Sequence, residues 1–351
     1  MSKSKVDQAR EALSGPTGDR TPSEPCFLST GVTLINLANY GRVDGGIAKG
    51  HIYRIAGRSS SGKTFLCRTI LAEAARSPAF ADYDLIYDDV ERGALMDTEK
   101  FFGRTLVNRL VPPARSKDRT PLYSNTTLEF YRNIRSRIEK GVKLIWILDS
   151  LDSLSPDAES KMGDGKAKIN SQELRKLLLP LEETGSILVL ISQVRANMNI
   201  MPGPFKFTAP EDVISGGRAP EFYSTLDMIL RKSKSIKTVY KERNYVVGHH
   251  VTAKITKNRL QGREEVISFP FYPSYGIDDI GANVDWLVLV NYWAREKGGV
   301  EAKEFDVCLT RNKLVRHIED QGLERSLQNI VGKVWGEIRD AITMERKPRY
   351  E

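Results

Sequence analysis

At 351 residues the chain can bury a full core and suits one large domain or two. Its 28% charged residues, and the absence of any apolar run approaching the ~20 residues of a membrane span, exclude a helical membrane protein. The N-terminus lacks a secretory h-region and Cys26, Cys67 and Cys308 are scattered, so a cytoplasmic location is expected, and the net charge of +8 is compatible with a polyanionic partner.

Residues 1–26 are polar and rich in breakers, Gly15-Pro16 and Pro22 to Pro25 among them, and predict a linker with a short helix at Val6–Leu13 that could touch another subunit. Ile52–Ala56 reads as a buried strand, and Phe65–Ala75 has helical spacing. Between them lies Gly57-Arg58-Ser59-Ser60-Ser61-Gly62-Lys63-Thr64, a complete G-x-x-x-x-G-K-T phosphate-binding loop. Its glycines let backbone N–H groups curl around phosphate oxygens, and the helix that follows offers its positive end. Lys63 would neutralise the β/γ-phosphates and Thr64 would ligate Mg²⁺; with Phe65, the whole segment from Gly57 is expected to hold a nucleoside triphosphate. The flanking strand and helix weigh against a chance Gly/Ser-rich turn.

Asp84–Asp88, Leu144–Asp149 and Ile187–Ser192 are further apolar strands, separated by helices at Glu129–Lys140 and Ser171–Glu183. This alternation predicts an α/β fold with a mostly parallel sheet. Asp149, ending an apolar strand at the right distance from the phosphate loop, is the expected Mg²⁺-holding acid. Glu91 follows another strand end; from spacing alone it is equally a water-orienting carboxylate or a solvated loop residue. Thr225–Arg231, Thr238–Tyr240, His250–Lys257 and Val266–Tyr272 adjoin without helices and predict antiparallel extension of the sheet. Asp285–Glu296 and Leu323–Ile342 then read as helices of a small, mainly helical C-terminal domain over 286–351. His249-His250 lies in a strand without other ligands at metal spacing, so both histidines are expected to be structural.

The order of Gly57–Thr64, Asp89-Val-Glu91, Leu148–Ser150, Ile191–Arg195, Ser215–Gly217 and Lys257–Arg259 resembles the RecA family of strand-exchange recombinases, over roughly residues 27 to 290. The resemblance implies a RecA-like P-loop ATPase core over 27–285, with ATP and Mg²⁺ as cofactors. It makes Glu91 the carboxylate that activates water and Gln193 the residue that senses the γ-phosphate. It makes Lys257 and Arg259 cations that reach a neighbouring subunit's ATP. Two segments, about 155–169 and 195–217, are similar to the family's DNA loops, with Lys168, Ser171, Arg175, Arg195, Met198, Ser215, Gly216 and Gly217 as the implied DNA contacts. Met198 matches an apolar side chain that wedges between bases.

Implied partners are single-stranded and duplex DNA, further copies of the chain in a head-to-tail helical filament, and single-strand-binding and loader proteins. Ser59 stands where bacterial members usually carry Glu, Glu221 where they carry Lys beside an interface aromatic matched by Phe222, and the C-terminus lacks their acidic tail. The divergence of the sequence, its short N-terminal segment and its unusual C-terminal region make the chain similar to phage-encoded, UvsX-type members, expected to act in the cytoplasm of a bacterium or a phage-infected host. A hexameric helicase of the same core fold and a regulatory ATPase or recombination mediator are the alternatives. The short segment before the core and the intact Lys63, Glu91 and Asp149 count against them.

Overall fold

The computed structural model describes residues 27–156, 164–196, 212–214, 217–344 and 346. The helix expected at Val6–Leu13 lies outside them. In chain order the elements that build the site are β1 (Ile52–Gly57), α1 (Lys63–Arg76), β2 (Asp84–Asp89), α2 (Thr127–Ile138), β3 (Leu144–Asp149), α3 (Asp164–Thr184), β4 (Ile187–Ala196), β5 (Leu226–Tyr240), β6 (Arg243–Asn258) and β7 (Glu265–Tyr272). They form a ten-stranded sheet whose central order is β7-β6-β5-β1-β4-β3-β2, with two-residue strands at each edge and Asp212–Ile214 paired to the end of β4. From β5 to β2 every pairing is parallel; β5-β6-β7 is antiparallel. The fold is the mostly parallel sheet with antiparallel extension that the strand spacing predicts.

Parallel strands buried on both faces read as continuous apolar runs, and β3 shows why. Ile145 and Ile147 face a cluster built on Leu66, Ile70 and Leu71 of α1; Leu144, Trp146 and Leu148 face Phe130 and Ile134 of α2 and Leu174 and Leu177 of α3. Each face thus buries its own set of large side chains, at about 1.5–3 kcal/mol for each one removed from water.

Helix boundaries differ from expectation where capping decides them. The Thr126 hydroxyl accepts from the Glu129 amide and Glu129 Oε2 accepts from the Asn125 amide, so α2 starts at Thr127, two residues before the apolar spacing suggests. α3 starts at Asp164 instead of Ser171, so Lys166 and Lys168 stand on a helix and not in the expected 155–169 loop. The helix expected at Asp285–Glu296 is α4 (Asp279–Leu289): Asp278 caps it by accepting from the Gly281 amide, and Asn291 at φ 58° turns the chain into a strand at Ala294–Glu296.

That strand joins Gly299–Ala302 and Val307–Leu309 in a three-stranded antiparallel sheet, followed by α5 (Arg311–Asp320) and α6 (Glu324–Ile342). Trp293, Val300, Leu314, Ile318, Leu327, Val331 and Trp335 share one apolar cluster with α1 and the sheet. Arg311 ties the segment further to the Asp285 carboxylate at 2.9 Å.

Two strands expected at Thr225–Arg231 and Thr238–Tyr240 are one, β5, which pairs with β6 up to Tyr240↔Arg243. The Ser/Lys-rich stretch between them lacks apolar alternation, and cross-strand backbone pairing alone carries the strand through it. The connecting turn holds Lys241 and Glu242 at φ 46° and 62°. Positive φ at both central positions is the twist-matched hairpin geometry usually signalled by Asn-Gly, a signal this turn lacks.

Candidate nucleotide and catalytic site

Parallel strands that end together place their C-terminal residues along one edge, where α/β folds bind ligands. Here β1 ends at Gly57, which pairs with Gln193 of β4 on one side and Leu230 of β5 on the other; Asp89 of β2 pairs with Asp149 of β3. Gly57 is required: a Cβ there would lie 2.4 Å from Ser61 Oγ and 2.7 Å from the Leu230 carbonyl. Ser60 (φ 59°) and Gly62 (φ 93°) take left-handed conformations that curl the loop before α1.

Lys63 is buried, and its ammonium donates to the carbonyls of Gly57 at 2.8 Å and Arg58 at 2.9 Å. Burial lowers its pKa, while Asp149 and Glu91 pull it back up. The amides of Lys63, Thr64 and Phe65 open α1 and belong to the first-turn donors that a helix leaves free. The Phe65 ring is spent elsewhere, packed 4.8–5.6 Å from Phe101, Phe102 and Phe271, so what Phe65 offers a nucleotide is its backbone. Beyond it, an open cleft lined by Thr69, Arg76, Lys100, Phe101 and Tyr275 runs along α1.

Asp149 is buried, and its Oδ2 accepts from Thr64 Oγ1 at 2.8 Å and from the Tyr87 phenol. Burial raises its pKa; the hydrogen bonds from Tyr87 and Thr64 oppose that rise, and the charges of Glu91 and Asp89 add to it. A hydroxyl and a carboxylate in contact, the carboxylate made basic by burial, fit a hard divalent cation. No cluster of three or more His, Cys, Asp or Glu that could hold a metal is present among the described residues. Such a pair suits Mg²⁺, which keeps several waters and is held by one or two carboxylates together with substrate phosphates.

Glu91 sits just past β2. Its Oε1 accepts from Ser150 Oγ at 2.5 Å, Ser153 Oγ at 2.9 Å and Gln193 Nε2 at 3.0 Å. Partial burial works to raise its pKa, but these three donors and the Lys63 charge outweigh it and hold Glu91 below the ordinary value, as an anion. The Gln193 backbone N–H in turn donates to Asp152 Oδ2 at 2.6 Å, and Lys166 donates to the carbonyls of Asp152 and Leu154. The start of α3 is therefore fastened to the turn that carries Ser153.

Lys257 and Arg259 lie elsewhere. β6 runs antiparallel to β5, so its end reaches the opposite edge of the sheet, where Leu226 pairs with both Asn258 and Tyr53. Lys257 donates to the carbonyls of Glu221 and Phe222, and Arg259 to Phe222 at 2.9 Å. Phe222 is 64% exposed, and Glu221 lies 3.7 Å from Arg54. Within one chain the two cations are not brought to the phosphate loop.

Lys168, Ser171 and Arg175 recur at helical spacing on one face of α3, the two cations exposed. Arg195 is in β4, its backbone paired with Val213. Met198, Ser215 and Gly216 lie outside the described residues. Gly217, at φ 78°, precedes the Arg218–Tyr223 helix, and a Cβ on it would lie 3.6 Å from that of Ala167, so the ends of the two expected loops meet. His249 is buried, 5.2 Å from the Phe271 ring, and burial, with the Lys232 and His250 charges, pushes its pKa down.

Sequence reasoning missed Tyr87, Ser150, Ser153, Asp152 and Lys166. Strand parity could have found Tyr87: with Leu85 it faces the α1 side of β2, towards Asp149, and Arg68 stacks 4.6 Å from its ring. Nothing local marks the two serines, whose role depends on the turn after β3.

Comparison with known proteins matches residues 17–278 to the RecA N-terminal domain family. Protein RecA of Cytophaga hutchinsonii is 30% identical over 248 residues, 69% of this chain and 63% of the relative. Protein RecA of Caulobacter sp. strain K31 is 29% identical over 277 residues, 76% and 69% of the two chains, and that of Nautilia profundicola 30% identical over 248 residues, 69% and 64%. The chain thus spans less than two thirds of the first of these relatives.

Proposed function

Because this chain belongs to the RecA family, we propose that it is an ATP-dependent DNA recombinase that assembles on single-stranded DNA and exchanges strands with a homologous duplex. The observation that carries the reading is the Gln193–Glu91 hydrogen bond. It ties the carboxylate beside the phosphate loop to the strand that leads into the 195–217 segment, so a change at the γ-phosphate can move that segment.

In this reading the amides of residues 57–65 and the Lys63 ammonium hold the phosphates of ATP. Thr64 and Asp149 would hold Mg²⁺, which would supply positive charge against the phosphates of the substrate. Glu91, kept anionic by Ser150, Ser153 and Gln193, orients the water that attacks the γ-phosphorus, and ADP leaves with the β–γ bridging oxygen. Lys257 and Arg259, far from their own loop, stabilise the transition state of a neighbouring copy. Lys168, Ser171, Arg175, Arg195, Met198 and Ser215–Gly217 grip single-stranded DNA.

Residues 1–26 serve as a linker and subunit contact, 27–285 as the ATPase core and 286–351 as a C-terminal domain. Ser59, Glu221 and the modest identity to bacterial members support a place among divergent members similar to the phage-encoded, UvsX-type branch.

The test is strand exchange by the purified protein, with ATP hydrolysis measured with and without single-stranded DNA and assemblies viewed by electron microscopy. Filaments with strand exchange are expected. Rings that unwind duplexes would indicate the helicase reading, and DNA-independent hydrolysis without exchange the regulatory one.

A further inference from the structure

Glu91 is reached from a second side. Side chains alternate along β2, so Asp88 lies on the face opposite Tyr87, the face on which Ile86 packs with Phe130 and Ile134 of α2. Asp88 is fully buried there, and a buried carboxylate must find donors. One residue supplies both: Ser124, through its amide at 2.9 Å and its hydroxyl at 2.7 Å. Ser124 is itself buried, and its hydroxyl oxygen accepts from Asn133 Nδ2 of α2 at 3.2 Å.

Beyond Ser124 the chain crosses to the turn after β3. The Ser155 amide donates to the Asn125 carbonyl at 2.8 Å, and the Thr127 amide to the Ser155 carbonyl at 3.2 Å. Residues 124–127 are thus a strap, fixed to Asp88 at one end and to Ser155 at the other. Close before Ser155 in the chain stands Ser153, whose hydroxyl holds Glu91. The backbone from Asp88 to Glu91 closes the ring, with the Glu91 amide donating to the Asp149 carbonyl at 3.2 Å.

Ser155 also opens the 155–169 segment expected to meet DNA. While the strap is anchored, a pull on Ser155 works against a fixed point and shifts Ser153 at Glu91. With the anchor cut, the strap follows the pull and Glu91 is left where it was. Asp88 makes no hydrogen bond to the phosphate loop, Asp149 or Glu91, and packing alone would favour an apolar residue in its place. Its two acceptor oxygens serve the strap.

We propose that Asp88 is a positioning residue for hydrolysis: by anchoring the strap it lets DNA at the 155–169 segment adjust Glu91 through Ser153, independently of Gln193. The inference rests on the reading of the chain as a DNA-stimulated ATPase.

The test cuts the strap at either end. Asp88→Leu removes both acceptors, whereas Asp88→Asn keeps an acceptor for the Ser124 amide and offers a donor to its hydroxyl oxygen. Thr127→Pro deletes the amide that donates to Ser155, at the first position of α2, where proline is well tolerated. The kcat and KM for ATP are measured with and without single-stranded DNA, and DNA affinity by anisotropy. Asp88→Leu is expected to lower DNA-stimulated kcat by ~5-fold or more, and Thr127→Pro by ~2-fold or more. KM, DNA-free hydrolysis and DNA affinity should stay within about two-fold, and Asp88→Asn should keep the stimulation. Added to Ser153→Ala, Asp88→Leu should cost little more; added to Gln193→Ala, it should cost its full factor. Full stimulation in both strap variants would overturn the proposal, as would losses that multiply with that of Ser153→Ala. An equal fall in DNA-free hydrolysis would make Asp88 a purely structural residue. If Asp88→Leu does not fold, Thr127→Pro and its cycle with Ser153→Ala decide the matter. A wild type whose hydrolysis ignores single-stranded DNA would remove the recombinase reading as well.

Discussion

The Tyr87 phenol donates to Asp149 Oδ2, the same oxygen that accepts from Thr64. Its hydrogen bond is the largest influence holding the Asp149 pKa down against the rise caused by burial. Tyr87→Phe should therefore raise that pKa further. Protonated Asp149 is a poor partner for a cation, so the acid limb of the kcat–pH profile should move to higher pH while the alkaline side stays put. An acid limb that does not move would show that Tyr87 only fills space.

Glu91→Gln removes the charge that orients water but keeps an oxygen for Ser150, Ser153 and Gln193. Hydrolysis should slow by ~10²–10⁴-fold with ATP binding retained. Ser153→Ala takes away one of three donors and should give a much smaller loss in kcat. Single-turnover hydrolysis alongside nucleotide-binding titrations checks both; loss of ATP binding in Glu91→Gln would make Glu91 structural.

Asp88 lies on the opposite face of β2, buried, accepting from the Ser124 amide at 2.9 Å and hydroxyl at 2.7 Å. Burial raises its pKa from 3.8 to about 6 despite those bonds. A raised carboxyl favours folding while protonated, and that contribution is lost as pH rises through about 6. Asp88→Asn should be more stable than the wild type at pH 8 by about 1–2 kcal/mol, with the advantage gone near pH 4. Urea unfolding at the two pH values reads this directly, and an equal difference at both would refute it.

Because Lys257 and Arg259 stand at the far edge of the sheet from Lys63, neutralising both should leave ATP affinity of the isolated chain nearly intact while removing DNA-stimulated hydrolysis. Mixing that variant with Glu91→Gln creates interfaces with one intact nucleotide site and one intact pair of cations. Partial recovery of hydrolysis is expected; none at any ratio would argue that the pair acts within its own chain.

Lys168→Ala and Arg175→Ala, on one exposed face of α3, should each flatten the log–log salt dependence of single-strand binding by ~0.7. Lys166→Ala should act differently, since Lys166 fastens the Asp152 turn instead of facing solvent: its removal should lower hydrolysis more than DNA affinity. Matched salt titrations of the three variants separate the roles.

The central sheet was legible because β1, β3 and β4 bury both faces and their apolar runs lead straight into residues the phosphate chemistry needs: Gly57, Asp149 and Gln193. Elements set by side-chain capping or by long-range pairing were not. The early start of α2 hangs on Thr126 and Glu129, and α4 on Asp278, signals of one or two residues. The β5–β6 ribbon formed from a Ser/Lys-rich stretch because its partner strand, not its own composition, satisfies its backbone. In the site, Lys63, Thr64 and Asp149 follow from a contiguous motif. Ser150 and Ser153 meet Glu91 only after the chain folds, from 59 and 62 residues away.

Among the described residues, past Leu230 on one strand and His249 on the other, neither margin of the ribbon has a further neighbour in the sheet, although Val239, Val246 and Val247 lie exposed along it. Unpaired margins of this kind template pairing with another chain, and lysines on them are a common safeguard. Mutual repulsion between copies therefore keeps these ribbons apart while no polyanion covers them. Salt shortens the reach of that repulsion from ~10 Å at 0.1 M to ~3 Å at 1 M, so concentrated brine, ordinarily a means of keeping basic proteins in solution, is the condition under which this chain is most exposed to strand-to-strand aggregation.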